Sequence, residues 1–133
     1  MFGRPTNQRI LVVDDDLDTL GLVRMVFKRA GYDVSTATCW DEVADRVNLA
    51  RQTGQMFDLI ILDIMMPERS GFDVLDSLRV VLEKVPPVII LSAKYTIDDM
   101  VKASDMGVAK YLVKPTTPEK LLDAVQMVLS QVR

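Results

Sequence analysis

Ile10-Leu11-Val12-Val13-Asp14-Asp15 is a run of four apolar residues that ends on two carboxylates. Two later stretches repeat the pattern. Leu59-Ile60-Ile61-Leu62 ends on Asp63, and Tyr111-Leu112-Val113 ends on Lys114. Short continuous apolar runs suit strands covered on both faces. An open parallel sheet gathers the carboxyl ends of its strands along one edge, and sites form there. If the three runs are neighbouring parallel strands, three carboxylates and one ammonium meet at that edge. Such a cluster suits a hard cation and a transferable phosphoryl group.

Outward from these runs, short apolar segments alternate with longer amphipathic ones. Strands are expected over residues 9–14, 33–37, 59–63, 88–92 and 110–114; the first, third and fourth lack polar alternation. Helices are expected over 17–30, 40–51, 72–82, 97–106 and 118–131. Thr38…Asp41, Ser70…Asp73 and Thr96…Asp99 fit a looser capping box with Asp as the returning acid. Thr117-Pro118 sets a capping hydroxyl before a proline at the first helical position, and Gly31 and Gly107 fall where helices should stop. Leu121, Leu122, Val125, Val128, Leu129 and Val132 form one apolar stripe on the last helix. The fourth helix is more polar-mixed and is expected to be the most loosely packed. Strands alternating with helices predict an α/β fold, a parallel sheet with helices on both faces.

The bulk numbers agree. The sequence has 133 residues, 49% hydrophobic and 26% charged, with a net charge of −3. That suits one globular domain and argues against direct nucleic acid binding, which needs a basic patch. One cysteine, Cys39, and no histidine exclude an intrachain disulfide, a thiolate cluster and the commonest zinc ligand. The opening residues 1–8 form a polar tail without a signal-peptide core. No apolar run approaches the roughly 20 residues that span a bilayer, so a soluble, cytoplasmic chain with no membrane partner is expected. No effector domain is expected after the fifth helix.

The acidic run Asp14-Asp15-Asp16-Leu17-Asp18 has three readings. It can be a solvated turn that caps a helix. It can be a calcium loop, but the sixth place is Thr19 instead of Gly and the twelfth is Met25 instead of a bidentate Glu. It can be a phosphotransfer site that uses an aspartate nucleophile. A haloacid-dehalogenase-type phosphatase would need D-x-D-x-[TV], and neither Asp14-x-Asp16 nor Asp16-x-Asp18 continues correctly. The other strand ends decide for phosphotransfer of another kind: Asp63 and Lys114 close two more strands, and Ser92 closes a fourth.

In these motifs the chain resembles a receiver domain of two-component response regulators, over residues 9–131, with 132–133 left as a short C-terminal end. The motifs are Leu11-Val12-Val13-Asp14-Asp15, Leu62-Asp63-Ile64-Met65-Met66-Pro67, Ser70-Gly71, Leu91-Ser92-Ala93 and Tyr111-Leu112-Val113-Lys114-Pro115. The resemblance implies a flavodoxin-like fold: a five-stranded parallel sheet of order 2-1-3-4-5 with five helices on both faces. Thr38-Cys39-Trp40-Asp41 replaces the Asp-Gly often found before the second helix, and Val108 replaces a small residue after Gly107. Trp40 is expected to anchor the start of its helix.

The resemblance assigns Asp63 as the phospho-acceptor, and a carboxylate can hold a phosphoryl group as a mixed anhydride. It implies Mg²⁺, with Mn²⁺ as a substitute, held by Asp15, Asp63 and the backbone carbonyl of Met65, with Asp14 helping through water. Lys114 is expected to pair with Asp63 at rest and with a phosphoryl oxygen afterwards, and Lys114-Pro115 to be cis. Ser92, the Ala93 amide and Tyr111 form the implied switch, in which the Ser92 hydroxyl moves to the phosphoryl group and Tyr111 turns inward. Asp16 and Asp18 are expected to cap or be solvated. Met65 and Lys94 occupy positions that influence phosphoryl lifetime in receivers; neither is a base for water, so slow dephosphorylation is expected.

The implied partners are a sensor histidine kinase or histidine phosphotransfer protein as donor, then an unidentified output partner or a phosphorylation-dependent homodimer. The surface implied is that of the fourth helix, fifth strand and fifth helix. The chain would be a signalling domain that catalyses its own phosphorylation, not a turnover enzyme. A degenerate, unphosphorylated binding module is the main alternative, and the intact set Asp14, Asp15, Asp63, Ser92 and Lys114 speaks against it. A flavin or dinucleotide enzyme would need a glycine- or hydroxyl-rich phosphate loop after the first strand, where this chain is acidic.

Overall fold

The computed structural model describes residues 8–131. In chain order the elements are β1 (Arg9–Val13), α1 (Leu17–Arg29), β2 (Asp33–Ala37), α2 (Trp40–Thr53), β3 (Leu59–Leu62), α3 (Gly71–Val81), β4 (Val88–Ser92), α4 (Ile97–Asp105), β5 (Lys110–Val113) and α5 (Pro118–Gln131). The strands form one sheet of order β2-β1-β3-β4-β5, with every neighbouring pair parallel. The expected order and handed-out helices are thus present. Residues 1–7 and 132–133, including Val132 of the apolar stripe, lie outside the described residues.

Alternation of side chains across each strand divides the core. Ile10, Val12, Leu59, Ile61, Ile89 and Leu91 face α1 and α5. Leu11, Val13, Ile60, Leu62 and Val88 face α2 and α3, and Ile90 joins Ile64, Phe72 and Ala103 beneath α3 and α4. The three uniformly apolar strands are therefore the three inner ones, buried at nearly every position. Each large aliphatic side chain so buried contributes about 1.5–3 kcal/mol. The edge strands β2 and β5 are only partly covered. Of the nine residues of α4, only Asp99 and Ala103 are buried, which agrees with the expected loose packing.

Three expected strands end one residue early, and the reason is informative. Asp14, Asp63 and Lys114 each make one last ladder bond and then leave the sheet. Asp14 N–H donates to the Ala37 carbonyl (3.0 Å), Asp63 N–H to Val13 (3.0 Å) and Lys114 N–H to Ser92 (2.8 Å). Each charged residue is thus hung on the end of the neighbouring strand. The Lys114-Pro115 bond is cis.

Helix ends differ from expectation in small ways. α2 continues two residues beyond 51 because Gly54, at φ +71°, takes the left-handed position that stops it. α1, α3 and α4 end at Arg29, Val81 and Asp105, one residue short. α3 also begins one residue early, at Gly71, with the full Ser70–Asp73 capping box. Thr117 Oγ1 accepts from Lys120 N–H (3.2 Å), as its place before Pro118 suggests.

The Thr38–Asp41 box does not form. Cys39 holds the N-cap position of α2, and among the described residues its side chain makes no capping hydrogen bond. Glu42, one residue further along, reaches back instead, and its Oε1 accepts from both Thr38 N–H and Thr38 Oγ1 at 2.6 Å. The longer Glu arm spans a gap that Asp41 cannot. The two Thr38 bonds hold the Glu42 carboxyl below its ordinary pKa. A depressed acid stabilises the fold above its unfolded pKa and ceases to do so as the pH falls through the folded value. Glu42→Gln is expected to cost about 0.5 kcal/mol at pH 7. The cost should fade as the pH drops from 4.5 through the lowered folded value. Urea denaturation across that range reads it, and a cost that does not change with pH would contradict this account.

Candidate functional site

The ends of β1, β3 and β5 bring the predicted charges together. Lys114 Nζ lies 2.6 Å from Asp14 Oδ2 and 3.3 Å from Asp63 Oδ2. Asp14, Asp15 and Asp63 each offer a carboxylate oxygen within 4.8 Å of the others. Asp14 and Asp63 are buried, whereas Asp15 is exposed at the rim. Both oxygens of Asp14 are engaged, since Oδ1 accepts from Asp16 N–H at 2.9 Å. Asp63 Oδ1 accepts from Met65 N–H at 3.1 Å, which curls the chain after β3 around the carboxylate.

The Lys114 contacts refine the expected pairing. Asp63 is a partner, but Asp14 is the closer one. The long lysine arm crosses from the edge strand over the end of β4 and serves both acids. Burial raises the Asp14 pKa; the Lys114 and Asp16 bonds oppose that rise, and the Asp63 charge adds to it. Burial would lower the Lys114 pKa, but the Asp14 hydrogen bond and the charges of Asp14 and Asp63 outweigh it and leave the ammonium favoured. Two buried carboxylates with one ammonium between them carry excess negative charge at the mouth of the site.

Asp16 and Asp18 stand apart. Asp16 caps α1: its Oδ1 accepts from Asp18 N–H (3.1 Å) and its Oδ2 from the Thr19 hydroxyl (2.8 Å). The Thr19 and Asp18 bonds lower the Asp16 pKa. Asp18 lies exposed in the first turn of the helix. The most conspicuous acids of the run are therefore local to α1.

Ser92, fully buried, ends β4, and its Oγ accepts from Lys94 N–H at 3.2 Å. Ala93 is exposed beside it. Tyr111 is half-buried against Ile64, Phe72, Ile90 and Ala103. Its hydroxyl donates to the Lys94 carbonyl at 2.5 Å, and its ring meets Tyr95 edge-on at 6.3 Å. Met65 is exposed. Trp40 is half-buried at the start of α2, as expected of an anchor, with the Arg69 guanidinium 5.7 Å above its ring.

Sequence reasoning quoted Gly71 only as part of a motif. The structure supplies its reason: a Cβ there would stand 2.1 Å from the Asp63 carbonyl oxygen and 3.0 Å from Ile64 Cα. The Gly71 N–H donates to the Ile64 carbonyl at 2.9 Å. α3 therefore starts in direct backbone contact with the residue that follows β3. Glu68, at φ +67°, turns the intervening loop. Neither feature leaves a mark in apolar periodicity.

The donor set is all oxygen, clustered, partly buried and negative, which fits a hard divalent cation such as Mg²⁺ better than a soft metal. Among the described residues no helix is long and apolar enough to cross a membrane.

Comparison with known proteins places this arrangement. Residues 10–126 match the family model described as response regulator receiver domain. The transcriptional regulatory protein PrrA of Mycobacterium tuberculosis is 37% identical over 124 residues, covering 93% of this chain and 51% of PrrA. The alkaline phosphatase synthesis transcriptional regulatory protein PhoP of Bacillus subtilis is 33% identical over 124 residues, covering 92% of this chain and 49% of PhoP. The chain spans about half the length of these curated relatives. The crystal structure of the chemotaxis protein CheY4 of Vibrio cholerae superposes with a TM-score of 0.81 at 31% identity, covering 91% of this chain and 98% of that one.

Proposed function

The chain belongs to the response regulator receiver domain family, and from that membership we propose that it is a phospho-accepting switch whose acceptor is Asp63. The observation that carries the reading is the placement of Asp63 at the end of a central strand. There it lies 3.3 Å from the Lys114 ammonium, which also pairs with Asp14, and it clusters with Asp14 and Asp15.

An Asp63 carboxylate oxygen attacks the phosphorus of a phosphohistidine on a sensor kinase or a phosphotransfer protein. The P–N bond breaks, the departing imidazole keeps the electron pair and takes a proton, and Asp63 becomes a mixed anhydride. Asp15, Asp63 and the Met65 carbonyl would hold Mg²⁺, or Mn²⁺ in its place, with Asp14 in support. Bound there, the cation supplies charge neutralisation for the phosphoryl oxygens. Lys114 supplies a second, fixed positive charge, and its contact passes from the carboxylate to a phosphoryl oxygen. The Ser92 hydroxyl and the Ala93 amide then donate to the phosphoryl group, and Tyr111 settles inward.

The readout is a changed affinity at the α4, β5 and α5 surface, for an output partner or a second copy of this chain. The thin packing of α4 supports that direction, because moving elements come from the least stable parts of a fold. Since the chain spans about half of PrrA and PhoP, an output domain belonging to a longer protein is a fitting partner.

Intact mass after incubation with acetyl phosphate and Mg²⁺ tests the reading. Wild type is expected to gain one phosphoryl group, Asp63→Asn none, and omission of the cation should reduce uptake at least roughly tenfold. Equal masses with and without the donor would overturn the assignment.

A further inference from the structure

We propose that Lys94 and Asp99 form a latch that ties the segment after Ser92 to the first turn of α4 and opens when Asp63 is phosphorylated. The trigger rests on the phospho-acceptor reading above; the latch itself does not.

Lys94 is fastened at three points. Its N–H donates to Ser92 Oγ (3.2 Å), its carbonyl accepts from the Tyr111 hydroxyl (2.5 Å), and its ammonium pairs with Asp99 Oδ2 (3.4 Å). The two hydroxyl groups of the proposed switch thus hold the backbone of one residue, and the side chain of that residue holds α4.

Asp99 is shaped for this task and against its ordinary one. It occupies the third residue of α4, where its N–H bonds Thr96 Oγ1 at 3.1 Å. A capping box would bring its carboxylate back to Thr96 N–H, as Asp73 does for Ser70 at α3. That expectation fails at α4, because the Asp99 carboxylate is turned into the protein towards Lys94. Asp99 is nine-tenths buried, and its Oδ2 receives no hydrogen bond among the described residues. Lys102, on the next turn of α4, is directed elsewhere, its ammonium lying 4.8 Å over the Phe72 ring. The Asp99 charge also acts on the Tyr111 hydroxyl, whose pKa is raised first by burial and then by that charge.

A buried carboxylate that depends on one half-exposed ammonium is a sensitive contact. Lys94 also lines a cleft with Ile64, Met65, Met66 and Ser70, on the segment that follows Asp63 in the chain. When Asp63 carries a phosphoryl dianion, Ser92 Oγ leaves Lys94 N–H and a stronger anion faces the Lys94 ammonium. Lys94 moves towards it, and Asp99 loses its counter-charge. α4, with only Asp99 and Ala103 buried, gives way to let the carboxylate reach water.

Hydrogen exchange read by mass spectrometry on the whole protein tests both parts, using wild type, Lys94→Gln, Asp99→Asn and the double variant. Without donor, each single change is expected to speed exchange over residues 93–105 by roughly two- to fivefold. The double variant should go no further than the larger single one, and β1 and β3 should be unchanged. Unchanged exchange in the single variants, additive effects in the double, or a uniform rise that includes β1 and β3 would each overturn the latch. With acetyl phosphate and Mg²⁺, wild type should show faster exchange over the same residues and Asp99→Asn a smaller further change. Equal donor-induced changes in the two proteins would overturn the release. A wild type that takes up no phosphoryl group would remove the trigger and the acceptor reading together, while the donor-free comparison still decides the latch.

Discussion

Lys114→Met is expected to destabilise the cation-free protein at pH 7 by about 3 kcal/mol. The variant keeps the apolar length of the arm and removes the charge. It leaves Asp14 and Asp63 buried, close together and without the ammonium that now lies 2.6 and 3.3 Å from them. The loss should shrink on acidification, and the sign follows from Asp14. Burial raises its folded pKa above the ordinary 3.8. An acid with a raised folded pKa stabilises the fold most below its unfolded value, and that contribution is lost as the pH rises through the folded value. Protonating Asp14 therefore relieves the clash that the variant exposes. Lys114 works in the same sense at the other end of the scale: its raised pKa gives stability that is present below 10.5 and lost as the pH rises through its folded value. Urea denaturation in chelator at pH 7 and pH 4 measures the effect. A loss under about 1 kcal/mol at pH 7, the range of exposed pairs, or an equal loss at both pH values would contradict the bridging role.

Gly71→Ala is expected to be as damaging for a different reason. The added Cβ would meet the Asp63 carbonyl oxygen at 2.1 Å and its carbon at 2.9 Å. Both are backbone atoms on the segment that presents the acceptor carboxylate, so no side chain can rotate aside. α3 must back away, breaking the Gly71–Ile64 bond, or the turn after β3 must shift. Overpacking of this kind costs about 3 kcal/mol. Displacing Asp63 by about 1 Å is expected to slow phosphoryl uptake roughly 100-fold. Gly21→Ala supplies the contrast. Among the described residues nothing lies within 4 Å of a Cβ at Gly21, which sits inside α1, so alanine there should stabilise by about 0.5–1 kcal/mol. Thermal melts and uptake rates for the two variants check the pair of outcomes. Similar behaviour of the two would refute the steric account.

The sheet and the gathering of Asp14, Asp15, Asp63 and Lys114 at its edge could be read from residues because both depend on patterns of short range. Uniform apolar runs mark the inner strands β1, β3 and β4, although the run Tyr111-Leu112-Val113 falls on the half-covered edge strand β5; a charge after such a run is carried to the sheet edge whatever the loops do. Contacts that depend on reach were harder. The resemblance pairs Lys114 with Asp63, yet the geometry of three strand ends makes Asp14 its nearer acid. Thr38 chose Glu42 over Asp41, and Asp99 turned away from its own helix cap, since side-chain length and the neighbouring loop decide such bonds. Gly54 and Gly71 illustrate two further blind spots. One needs a backbone angle, and the other needs the distance between segments that only the closed fold brings together.

The ladder bonds that end β1, β3 and β5 have a consequence for length changes in this chain. Asp14, Asp63 and Lys114 are each hung from the last carbonyl of an adjacent strand, so the site has the strand register as its ruler. An insertion in a turn at the opposite end of the sheet, such as that at Gly54-Gln55, changes no rung and leaves the charges aligned. A single residue added within β3 would swing Asp63 to the other face and out of reach of Lys114. Tolerance to indels in this protein should therefore be polarised along the strand axis, with freedom at one end and none at the other.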